Sequence, residues 1–106
     1  MPTYLFRSSH TPEGAKGLRK EGGTSRRAAS EQAVASVGGK LEAFYYAFGG
    51  TDVFIIADLP DNVAAASLSL AVAATGSINA ETVVLLTPEE IDEATKKSAA
   101  YRPPGG

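Results

Sequence analysis

The chain has 106 residues, a net charge of -2 and no cysteine. That length allows a single domain, and the missing cysteine excludes disulfides, thiolate metal sites and a cysteine nucleophile. Residues 1–40 carry seven Lys/Arg against three Asp/Glu, and residues 41–106 carry three against nine. This division reads as a solvated basic helix face, or as a guide for self-association or an anionic ligand.

The first strand is expected over Thr3–Ser9, with Tyr4, Phe6 and Ser8 facing one way and Leu5, Arg7 and Ser9 the other. Thr11-Pro12-Glu13 then opens a helix, with Thr11 as cap, proline in the first turn and an acid at the positive end of the dipole. Ala15 and Leu18 are its expected inward residues. Gly22-Gly23 predicts a kink or short break. Helix resumes over about Thr24–Val37, with Ala29, Ala33, Val34 and Val37 inward and Arg27 and Glu31 spaced for a surface pair. Gly38-Gly39 ends it.

Two strands follow, Lys40–Phe48 and Asp52–Leu59, joined by a Gly49-Gly50-Thr51-Asp52 turn in which glycine permits positive φ. Asp61 or Asn62 caps the next helix, Val63–Ala74, whose small side chains let it lie close to a sheet. A fourth strand spans Ile78–Leu86. Thr87-Pro88-Glu89-Glu90 has the form of a capping box and starts a short last helix ending near Lys97. The domain is expected over residues 1–98, with 99–106 an extended Pro/Gly-rich tail. Tyr101 makes that tail an anchored extension, expected to pack over its own subunit or to cross to a partner.

The order βαββαβ plus a C-terminal helix predicts an α+β, ferredoxin-like fold: a four-stranded antiparallel sheet with helices on one face. Asp52, Phe54, Ile56 and Asp58 share one face of the third strand, and Val53, Ile55, Ala57 and Leu59 the other. Strand four is apolar on both sides. A one-sided sheet would alternate apolar and polar residues, so a second copy of the chain is expected to cover the open face.

The ordered set Thr11-Pro12-Glu13-Gly14, Gly38-Gly39-Lys40-Leu41, Ala43-Phe44-Tyr45-Tyr46, Gly49-Gly50-Thr51-Asp52, Asp58-Leu59-Pro60-Asp61 and Leu85-Leu86-Thr87-Pro88-Glu89-Glu90 resembles the GYD-domain family of small bacterial proteins. The resemblance runs from the first strand to the final helix and implies a ferredoxin-like dimeric α+β barrel. The family's name-giving Gly-Tyr-Asp reads Gly50-Thr51-Asp52 here, so no role of that tyrosine carries over.

Five residues stand out as candidates for chemistry. Asp52, at a strand start beside aromatic rings, reads as a proton acceptor or as a turn aspartate holding backbone N–H groups. Arg7 shares a face with Leu5 and Ser9 and reads as a holder of an anionic ligand, a partner of Asp52 or Asp58, or a solvent-reaching edge residue. His10, the one histidine, reads as a general base at a barrel mouth or as a surface or capping residue. Tyr45 and Tyr46 belong to an aromatic set with Tyr4, Phe6, Phe44, Phe48 and Phe54, read as packing or as a pocket for a small apolar ligand.

No metal site is expected, since no carboxylates lie at ligand spacing from His10, and no cofactor is implied. Nucleic acid is disfavoured by the acidic total and by the absence of a stacking motif. The N-terminus lacks the pattern of a signal peptide, and Val63–Ala74 is too short to span a bilayer, so a cytoplasmic protein without a membrane partner is expected. The leading expectation is a homo-oligomeric small-ligand-binding or accessory module. The alternative is a cofactor-independent oxygenase or isomerase acting on a small aromatic or enolisable compound in the barrel pocket, an argument from fold analogy.

Overall fold

The computed structural model describes residues 1–106. Strand β1 runs over Thr3–His10, β2 over Lys40–Tyr46, β3 over Val53–Asp58 and β4 over Ile78–Leu85. Helix α1 spans Pro12–Glu21, α2 Gly23–Ser36, α3 Asn62–Ala74 and α4 Pro88–Thr95. The strands form one antiparallel sheet in the order β2-β3-β1-β4, so the ferredoxin-like α+β fold holds.

Local chemistry sets the boundaries. The Thr11 side chain accepts the N–H of Gly14 at the start of α1, and Asp61 accepts that of Ala64 at the start of α3. Gly22, at φ 87°, breaks the first helical stretch into α1 and α2. The Thr87–Glu90 capping box forms in full, with both reciprocal hydrogen bonds at 3.0 and 3.1 Å. β2 stops at Tyr46, short of the expected Phe48, because the hairpin loop closes on the bond from Ala47 N–H to Asp52 C=O at 2.8 Å.

The core lies between the sheet and the helices. Tyr4, Phe6, Ala57 and Leu59 pack against Val34 of α2 and Ala65 of α3. Tyr4 is 1% exposed, and its hydroxyl donates to Asn62 Oδ1 at 2.6 Å, fixing the first turn of α3 over β1. This core is thin: eight of 106 residues are buried. Helix α1 contributes none; Ala15, expected inward, is exposed, and Leu18 is half-buried.

The opposite sheet face has no cover within the chain. Register places Leu5, Ile56, Val83 and Ala43 side by side across it, flanked by Phe54, Tyr45 and Leu85. Polar pairs close its ends: Thr3 donates to Asp58 at 2.8 Å, and Arg7 pairs with Glu81.

The C-terminal arm does not pack over its own subunit, contrary to that half of the sequence expectation. Every residue from Leu86 to Gly106 is exposed. The radius of gyration is 16.8 Å, against about 13 Å expected for a compact chain of this length. The arm therefore projects from the sheet.

Candidate functional site

The five candidate residues divide between the two faces of the sheet. The division is set in β2, where a bulge between Leu41 and Ala43 shifts the register against β3. One inserted residue reverses which side chains face which way. Tyr45 consequently stands opposite Phe54 on the open face, and Tyr46 opposite Val53 on the helix face. The aromatic residues are thus not one cluster. Tyr4, Phe6, Phe44 and Tyr46 lie on the helix side, Phe54 and Tyr45 on the open side, and Phe48 is fully exposed in the hairpin loop.

Asp52 and His10 meet at the far end of β1. The Asp52 backbone N–H donates to Ser8 C=O at 2.9 Å, and its carboxylate Oδ2 accepts the backbone N–H of His10 at 2.9 Å. His10 Nδ1 stands 3.8 Å from the same oxygen, within ion-pair range and too far for a hydrogen bond. Both residues line an open hollow of about 480 Å³ with Leu18, Arg19, Tyr46 and Phe48. His10 also borders a second hollow of about 320 Å³ with Glu13, Ser77 and Arg26.

Tyr46 walls the larger hollow and ties it to the start of α2. Its hydroxyl donates to Gly23 C=O at 3.0 Å, and its ring stacks edge-on against Phe44 with centroids 5.2 Å apart. Burial raises its phenol above the usual tyrosine range, partly offset by the charges of Arg26 and Arg27. A methyl on Gly23 would lie 2.9 Å from that ring, so the helix break also makes room for Tyr46.

Arg7 lies on the open face, away from the Asp52–His10 hollow, opposite Phe54 and Glu81. One guanidinium nitrogen pairs with Glu81, while Nε is buried and bonded to nothing. Arg7 pairs with neither Asp52 nor Asp58, the partners expected from sequence. Local sequence does not point to Glu81, because the pairing depends on the register of a strand 74 residues away. No group of three His, Cys, Asp or Glu side chains stands where it would hold a metal ion.

A family model described as the GYD domain matches residues 4–95. The chain belongs to the GYD-domain family. No curated protein and no solved structure matches it. The GYD motif, present here as Gly50-Thr51-Asp52, has a visible local task. Gly50 C=O accepts the Ser9 hydroxyl at 2.6 Å, and Asp52 takes the His10 N–H. The glycine and aspartate of the GYD motif thus fasten the β2–β3 hairpin to the end of β1. Thr51 between them is half-buried and joins in none of these bonds. No helix of the chain is long and apolar enough to cross a membrane.

Proposed function

We propose that this protein is a homodimeric small-ligand-binding module, two copies meeting open face to open face with the ligand held between the sheets. The observation that carries this reading is the uncovered sheet face. Its apolar middle, around Leu5, Ile56 and Val83, faces solvent in a chain that buries only eight residues on its own. Burying apolar area is worth about 25 cal/mol per Å², so pairing two such faces is favoured strongly. Arg7 supports an anionic or acceptor-bearing ligand, because its buried Nε has a proton to donate and no partner. Tyr45, beside Phe54 on the same face, supplies an aromatic wall.

Light scattering tests the assembly, and native mass spectrometry of the purified protein tests the ligand. The expected mass is twice the 10.9 kDa of one chain, falling to one chain in Leu5→Lys or Ile56→Lys. A monomer at micromolar concentration would remove the proposal.

A second reading, a cofactor-independent oxygenase or isomerase, has one observation in its favour: Asp52 and His10 stand 3.8 Å apart beside an open hollow. That hollow includes Tyr46 and not Arg7 or Tyr45, so its substrate would sit outside the sheet-to-sheet space. Solvent-deuterium exchange into small enolisable compounds tests it; exchange that persists in His10→Ala and Asp52→Asn would dismiss it.

A further inference from the structure

The helix side of the sheet holds a separate cleft, independent of the open face. Helices α2 and α3 both pack on the sheet and barely touch each other. The gap between them is a cavity of about 150 Å³. Phe6, Ser8 and Ile55 form its floor, small residues of α2 including Ala29 and Ala33 one wall, and Leu68 and Val72 of α3 the other. The sequence anticipated Ala29 and Ala33 as an inward face. In the fold they face a space that no side chain fills, and Ala33 stays exposed.

Two polar groups mark this space. Ser8 is 7% exposed, the one buried polar residue of the chain, and it takes part in none of the side-chain hydrogen bonds of the fold. Its hydroxyl opens onto the cleft, unlike the sealed Arg7 Nε, and is available to the polar group of a guest. Arg26 lines the same cavity from the first turn of α2. Its guanidinium meets Glu21 at 3.3 Å in an exposed pair, a kind that contributes little and yields to a better acceptor.

We infer that the α2–α3 cleft binds a small monocarboxylate with an apolar body of about benzene size. The size follows from the volume, since an apolar cavity of roughly this size accepts a benzene-sized guest. The head group follows from the two polar residues. A carboxylate takes charge-assisted hydrogen bonds from Arg26, displacing Glu21, while the body covers Phe6 and Ile55 and leaves Ser8 a neighbouring acceptor. A neutral apolar guest would use the floor and leave Arg26 idle.

Benzoate, with benzyl alcohol as the uncharged comparison, serves as the probe in amide-resolved NMR titrations of the full chain. Benzoate is expected to shift the amides of Ser8, Ala29 and Ala33. Arg26→Gln should weaken benzoate about tenfold or more and leave benzyl alcohol unchanged, as loss of a charged hydrogen-bond donor predicts. Ala33→Phe, which fills the cleft, should abolish binding of both; Ala29→Leu gives the same reading if that variant does not fold. Absence of benzoate shifts at these amides overturns the inference, as do shifts confined to Arg7 and Phe54, or an Arg26→Gln effect equal for both probes. Light scattering on the same samples reports the dimer separately, so failure of one reading leaves the other standing.

Discussion

Two glycines three positions apart on α1 should respond to alanine with opposite signs. A Cβ built on Gly14 would lie 2.1 Å from the backbone oxygen of Ser77 and 3.4 Å from His10 Cδ2. The same atom on Gly17 would meet nothing within 4 Å. Ser77 C=O is no flexible neighbour: it accepts both the backbone N–H and the hydroxyl of Thr11 at 3.0 Å, tying the start of α1 to the start of β4. Gly14→Ala must move that carbonyl. Overpacking against backbone costs about 1–3 kcal/mol, and loosening the two hydrogen bonds adds about 1 kcal/mol each. The helix-propensity gain of alanine, at most about 1 kcal/mol, returns part of this. The net expectation is a loss of about 2–4 kcal/mol, which for a chain of this length lowers Tm by roughly 10–15 °C. Gly17→Ala keeps only the propensity gain and should raise Tm by up to about 4 °C. Thermal unfolding followed by circular dichroism, at one fixed protein concentration because assembly makes Tm concentration-dependent, measures both. Equal signs for the two variants, or a Gly14→Ala Tm within about 2 °C of the parent, would refute the close approach of α1 to β4.

Three further outcomes follow from single contacts. Asp52→Asn should lower Tm by several degrees, because the carboxylate accepts the His10 N–H at 2.9 Å and an amide accepts more weakly; an unchanged Tm would free Asp52 for a role in binding or catalysis. Tyr46 has a raised phenol pKa in the folded state, so the native protein holds its proton longer than the unfolded chain. Its contribution is complete below the unfolded value of 10.0 and is lost as pH rises through the folded value. Urea unfolding as pH rises from 10.0 to the folded value should therefore show a steeper alkaline loss in the parent than in Tyr46→Phe, and parallel profiles would contradict it. Truncation after Lys97 should leave Tm unchanged, since every residue removed is exposed on its own subunit; a lower Tm or a smaller oligomer would show that the tail reaches a partner.

Most of the fold was legible because its signals are local. Gly22, Gly38, the Asp61 cap and the Thr87 capping box each act within a few residues, and each ends or begins a helix where the sequence places it. The inward set of β1 was legible for the same reason, since Tyr4, Phe6 and Ser8 alternate strictly. The second strand was not. Uninterrupted alternation from Lys40 would put Tyr46 with Lys40 on the open face. The bulge at Glu42 reverses this and sends Tyr45 there instead. Nothing in KLEAFYY announces an extra residue, because the bulge is decided by the partner strand. Ala15 fails as a core residue because α1 lies at the end of the sheet and not across it, a consequence of the Thr11–Ser77 tie.

The same distinction explains why the candidate site was harder to read than the fold. Asp52 stood out as a carboxylate at the mouth of an apolar strand, and that placement is correct. Its Oδ2, however, is engaged by the end of β1, and Gly50 by the Ser9 hydroxyl. The two family-motif residues that this chain keeps are therefore accounted for by hairpin docking alone, whichever residue stands at position 51. The buried group with unmet hydrogen-bonding capacity lies elsewhere, at Arg7 Nε on the open face; Ser8, whose hydroxyl opens onto the α2–α3 cleft, stands one residue away in β1 and points in the opposite direction. Strand alternation fixes that divergence. It makes β1 the element from which both sides of the sheet would be addressed, and it separates the two binding proposals by a single substitution at each face.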